Sequence, residues 1–161
     1  MAKKDTNLYL EILKDVRNKN FKPIYFLMGE ESYFIDLITD AIIENALTDD
    51  ERDFNQTIMY GADIDNYGTV VNAAKRYPMM APRQLVVVKE AQQVANIELL
   101  SFYLKQPLAS TILVINHKHG VVTFHRPICN RYIIVYSCQK SRVSLLLTGH
   151  FFRIPLNYLF I

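Results

Sequence analysis

The fold of this chain is most tightly restricted by a set of short apolar runs, each set apart from the next by a stretch of helical length. Pro23-Ile24-Tyr25-Phe26-Leu27-Met28 stops at Gly29, Leu85-Val86-Val87-Val88 follows Arg83-Gln84, and Thr111-Ile112-Leu113-Val114-Ile115 follows Ser110. Runs rich in β-branched residues and lacking polar alternation are the pattern of strands buried on both faces. Another strand is expected over Phe54-Asn55-Gln56-Thr57-Ile58-Met59-Tyr60, turning at Gly61-Ala62-Asp63. Between the runs the apolar spacing becomes that of a helix. Leu8, Ile12, Leu13 and Val16 share a face before the first run, and Ile35, Ile38, Ile42 and Ala46 share one over 32–47. A helix is expected from Asn66 to Arg76, and a last one carries Ile97, Leu100 and Leu104 before closing at Pro107. Strands that alternate with helices imply crossover units, hence an α/β fold of three layers around a mostly parallel sheet.

Composition enters where it limits function. The chain has 161 residues, 50% of them hydrophobic, enough to fill one ordinary core. No apolar run approaches the roughly 20 residues that a bilayer span needs. The start, Met1-Ala2-Lys3-Lys4-Asp5, lacks the apolar stretch of a secretory signal, so a cytoplasmic protein without a membrane role is expected. Cys129 and Cys138 form no CxxC pair, and no metal site is assigned to them. Charge divides the chain in two. Residues 1–120 carry 13 Lys and Arg against all 16 acids, whereas 121–161 carry 5 basic residues and no acid. At ordinary composition, a run of that length without an acid arises about once in 200. The expected domain therefore covers 1–120, and 121–161 reads as a non-native or frame-shifted tail. Within that tail, Arg131-Tyr132-Ile133-Ile134-Val135-Tyr136 has the pattern of a fifth strand.

An ATPase of this architecture places G-x-x-x-x-G-K-[ST] after its first strand, because backbone amides wrap the phosphates while the lysine meets their charge. The corresponding segment is Gly29-Glu30-Glu31-Ser32, with neither the second glycine nor the lysine. At an effective dielectric near 20, each carboxylate contact with phosphate would cost about 4 kcal/mol at ~4 Å. The third strand ends in Lys89-Glu90 where magnesium would require acids. Both halves of a nucleotide site are thus degenerate, and no cofactor is expected. The simpler role of Glu30, Glu31 and Ser32 is to stabilise a helix start. A working nucleotide-binding ATPase domain remains the alternative. Asp63 and Asp65 are candidates for helix capping, and the pair His117 and His119 has no acidic or cysteine partner nearby in sequence.

The segment Lys75-Arg76-Tyr77-Pro78-Met79-Met80-Ala81-Pro82-Arg83-Gln84 is apolar where a loop should be polar. Two adjacent methionines between prolines cannot both enter one core. Polarizable thioethers on a stiffened segment suit a partner's groove, although the same residues could instead cover the end of the sheet. Gly29-Glu30-Glu31, then Tyr77 to Gln84 leading into Leu85-Val88, then Ser110-Thr111-Ile112-Leu113-Val114, occur in the order and spacing of the delta-subunit family of the bacterial DNA polymerase III clamp loader. The chain resembles that family over about residues 5–120. The resemblance implies an AAA+-like domain without nucleotide binding or catalysis. It also implies an apolar wedge before the third strand that enters a pocket on the sliding clamp and helps to open the ring. By alignment on Ala81-Pro82-Arg83-Gln84, the wedge is Met79 and Met80, with Tyr77 as a third contact. The family implies partnership with other clamp-loader subunits in a longer protein, with DNA met only through the assembled complex.

Overall fold

The computed structural model describes residues 6–119 with, further on, the backbone strands 133–139 and 142–147. Helix α1 (Thr6–Arg17) leads to β1 (Ile24–Gly29) and α2 (Ser32–Ala46); α3 (Asp49–Asn55) leads to β2 (Gln56–Tyr60). Helix α4 (Tyr67–Ala74), β3 (Gln84–Lys89), α5 (Leu100–Lys105) and β4 (Thr111–Lys118) follow, then β5 (Ile133–Gln139) and β6 (Arg142–Leu147). The sheet order is β2-β3-β4-β1-β5-β6. All neighbours pair in parallel except β5 with β6.

Alternation along the central strands divides the core into two layers. Tyr25, Leu27, Leu85, Val87, Ile112 and Val114 pack with Ile12, Leu13 and Val16 of α1 and Ile35, Ile38 and Ile42 of α2. Ile24, Phe26, Val86, Val88, Leu113 and Ile115 pack on the other face with Tyr67, Val70 and Ala74 of α4 and Leu100, Tyr103 and Leu104 of α5. The expected three-layer α/β fold is observed. Burial on both faces explains why the strand sequences carry no polar alternation.

Two local expectations are corrected. The strand expected from Phe54 begins at Gln56, because Asp49–Asn55 forms a helix. Its start was legible in Thr48-x-x-Glu51: the Thr48 backbone N–H donates to the Glu51 carboxylate at 2.9 Å, the reciprocal bond of a capping box. That bond, foremost, holds the Glu51 carboxyl below the usual carboxylate range. The capping role offered to Asp63 and Asp65 at α4 falls to Asn66, whose side chain accepts from the Gly68 N–H at 2.8 Å. In the tail, β5 lies parallel to β1 with Ile24 opposite Ile133, consistent with a fifth strand there. The other residues of 121–161, with the question of their origin, lie outside the described residues.

Candidate functional site

In a parallel sheet, all segments that enter strands gather at one edge and all that leave gather at the other. Asn55 precedes β2, residues 75–83 precede β3, residues 106–110 precede β4 and residues 18–23 precede β1. The entering edge therefore brings the end of α3 beside the apolar loop.

The loop leaves α4 without a glycine, so the last helical carbonyls need other donors. The Lys75 and Arg76 N–H groups meet the carbonyls of Val71 and Ala73, and side chains meet the last one. The Ala74 carbonyl accepts from Thr111 Oγ1 at 2.9 Å and from the Tyr103 hydroxyl at 3.3 Å. The buried amide of Gln84 reaches the same carbonyl at 3.3 Å, donates to Thr111 Oγ1 at 2.9 Å and also bonds the Arg76 carbonyl. At mid-loop, the amide of Asn55 accepts from the Met79 N–H at 2.6 Å and donates to the Met79 carbonyl at 2.9 Å. At the far end, the Arg83 guanidinium lies 5.1 Å from the centre of the Phe21 ring. A shallow cleft of about 190 Å³ opens there, lined in part by Lys19, Lys22, Pro82 and Arg83.

What these anchors hold out is apolar. Tyr77 is 77% exposed, Met79 56% and Met80 fully. Met80 also has φ 51, the left-handed region that non-glycine residues avoid. Phe54, next to Asn55 in sequence, is 69% exposed at the same edge. Sequence reasoning missed both Phe54 and Asn55, because it placed them in a strand. The Thr48-Glu51 capping signal could have corrected that.

The leaving edge has a different character. Gly29 ends β1 at φ 135, a conformation that favours glycine. Glu30 and Glu31 are exposed, and Ser32 is partly buried with its N–H bonded to the Glu30 carbonyl at 3.1 Å. Glu31 occupies the N-cap of α2 without a side-chain capping bond, so its stabilising role is confined to the helix dipole. Lys89 ends β3 and Glu90 follows it, with β4 interposed between β3 and β1. Glu90 is left-handed at φ 55, and its carboxylate accepts from Gln93 Nε2 at 3.1 Å. Its carbonyl packs so close to Gly61 that an added Cβ would stand 2.1 Å away. Lys118, at the end of β4, holds both carboxylate oxygens of Asp36 on α2, at 2.8 and 2.9 Å. This edge thus carries close backbone contacts and an ion pair, with Glu30, Glu31 and Glu90 exposed. His117 stacks on Phe26, and the His119 N–H donates to the Gly29 carbonyl at 3.2 Å. Among the described residues, no three metal-ligating side chains converge. Also among them, no helix is long and apolar enough to cross a membrane.

The profile of the family DNA polymerase III, delta subunit, matches residues 25–121, more than half of the chain. The chain belongs to this family. The DNA polymerase III subunit delta of Bacillus subtilis is 22% identical to it over 118 residues, covering 67% of this chain and 34% of that protein. The chain thus spans about a third of that relative's length. A solved Bacillus subtilis DNA clamp loader delta protein superposes with a TM-score of 0.69 at 18% identity, over 82% of this chain and 42% of that one. A DNA polymerase III gamma subunit-related protein of Thermotoga maritima superposes at 0.51 with 13% identity, over 81% of this chain and 45% of that one. The α/β fold of both proteins is therefore shared, with the delta protein matching better.

Proposed function

We propose that this chain grips a ring-shaped sliding clamp through Met79 and Met80, with Tyr77 as a further contact, and helps to open the ring for loading onto DNA. The observation that carries this reading is the state of Met80. Its left-handed backbone costs about 1–2 kcal/mol for an L-residue, and its side chain, wholly exposed, recovers nothing inside the chain. Lys19, Glu90, Asn96 and His119 are also left-handed and exposed, so what sets Met80 apart among them is the large apolar side chain held outside; a groove on a partner gives that a reason, since burying one such side chain contributes roughly 1.5–3 kcal/mol. Membership of the delta family supports the sliding clamp as that partner. The greater length of the relatives supports contacts with other clamp-loader subunits in a longer protein, acting in the cytoplasm and meeting DNA only within the assembled complex.

No nucleotide chemistry belongs to this reading. Glu30 and Glu31 oppose phosphate at the helix start, and Lys89 cannot ligate magnesium. The end of the family match at residue 121, together with the missing acids beyond it, supports a non-native reading frame for 121–161. Coding-DNA sequencing that finds those residues in the native frame rejects that part.

Calorimetric titration with purified clamp tests the central claim. The chain binds, and Met79→Ala with Met80→Ala lowers affinity by about 30-fold or more, as loss of one anchor worth about 2 kcal/mol requires. The thermal midpoint stays unchanged. Undiminished affinity in the double variant rejects the site. Micromolar binding of a fluorescent ATP analogue with magnesium would instead favour a nucleotide enzyme.

A further inference from the structure

We infer that Asn55 is the positioning residue of the clamp-binding tip, the side chain that fixes where Met79 and Met80 stand; the inference rests on the clamp reading given above. Asn55 is the last residue of α3 and only 4% exposed. Its carboxamide pairs with both backbone groups of one residue: Oδ1 accepts from the Met79 N–H at 2.6 Å, and Nδ2 donates to the Met79 carbonyl at 2.9 Å. Nδ2 also donates to the Glu51 carbonyl at 3.0 Å, which holds the amide in orientation against its own helix. One bond would fix a distance. Two antiparallel bonds to the same residue fix the position of its backbone and its rotation as well, and the next residue is the left-handed Met80.

The need for such a device follows from the cost of binding with a loop. Each backbone residue ordered on association costs on the order of 1–2 kcal/mol, which an exposed segment must supply unless it is ordered beforehand. Pro78 and Pro82 stiffen the segment but do not attach it to the domain. Asn55 does, at the residue before the tip. The chemistry admits few substitutes. Glutamine carries the amide one carbon too far. Aspartate has the right shape, yet as a carboxylate it accepts only, and one of its two oxygens would face the carbonyl oxygens of Met79 and Glu51 with no proton between them. Burial and those carbonyls raise its pKa, and its protonated form regains one donor.

That proton provides a test which a generally structural role would not pass. Clamp affinity of Asn55→Asp is compared with that of the unsubstituted chain at pH 8 and pH 5, with Met79→Ala, Met80→Ala as reference. At pH 8 the variant should bind about tenfold more weakly, the effect of leaving a buried pairing unmade. At pH 5 the gap should close most of the way. A variant equal to the unsubstituted chain at pH 8, or equally deficient at both pH values, overturns the role of Asn55. Hydrogen exchange of the unsubstituted chain tests it without any variant. The Met79 amide should exchange far more slowly than a solvent-exposed loop amide, and exchange at the loop rate overturns the proposal. If the unsubstituted chain fails to bind clamp, the clamp reading falls, while the exchange result still decides whether Asn55 pins the loop.

Discussion

The two edges of this sheet are built from the same strands and put to opposite ends. Open α/β sheets usually bind ligands outside the carboxyl ends of their strands. Here that edge carries contacts of the protein with itself: Gly61 against the Glu90 carbonyl, Asp36 against Lys118, and the His119 N–H on the Gly29 carbonyl. At the amino edge the polar groups turn inward, with Asn55, Gln84 and Thr111 bonded to the loop backbone and the apolar side chains of Tyr77, Met79 and Met80 left outside. The same parallel strands thus carry short polar contacts and an ion pair at one edge and an apolar loop held by polar side chains at the other. The polar anchors, more than the apolar tip, mark the difference.

The largest effect expected concerns what the edges share. Burial pushes the hydroxyls of Tyr25 and Tyr67 up from 10.0 to about 12. Tyr25 accepts from the Lys22 N–H at the amino edge, and Tyr67 donates to the Ala91 carbonyl at the other. Because both folded values lie above the unfolded one, their stabilisation is complete below pH 10 and is lost as pH rises through about 12. Full ionisation removes roughly 3 kcal/mol for each. Stopped-flow absorbance should show tyrosinate from these two only as the fold is lost, so their ionisation in the intact fold near pH 10 would contradict their burial. Next, Gly61→Ala should destabilise by about 1–3 kcal/mol in urea unfolding, since backbone must shift to admit the methyl. Its effect on clamp affinity should be small, and a large loss of binding in the folded variant would show that the edges are not independent.

Met80→Gly should reverse the sign. Removal of the left-handed penalty offsets the extra freedom of the unfolded glycine, leaving stability equal or higher by up to about 1 kcal/mol. Clamp affinity should nonetheless fall about 30-fold with the lost anchor. Parallel losses of stability and binding would place Met80 in the fold rather than the interface. The smallest change is Asp36→Asn. The pair with Lys118 is partly exposed, so about 0.5 kcal/mol or less is expected, with clamp affinity unaltered.

The strands and the three layers were legible because burial on both faces leaves an unbroken apolar signature, as in Leu85-Val86-Val87-Val88. The exposure of Met79 and Met80 was legible for the opposite reason, as adjacent apolar residues between prolines that cannot both enter one core. Residues whose role is polar and long-range were not. Nothing local marks Asn55 as the partner of Met79, 24 residues away. Gln84 and Thr111 read simply as the polar starts of strands, yet they complete the end of α4. The helix Asp49–Asn55 was missed although its capping pair was present, because the apolar and aromatic residues after Asp53 suggested a strand.

The amide of Gln84 reaches the end of α4, the carbonyl of Arg76 and the hydroxyl of Thr111 across the junction of β3 with β4. No stretch of chain shorter than the span from α4 to β4 contains all those partners, so the full set of anchors forms only after the two strands lie side by side. A nascent chain still lacking β4 carries the Asn55 side chain and the same methionines without the Thr111 hydroxyl. The attachment of residues 75–83 is in this way completed only once synthesis has passed the fourth strand.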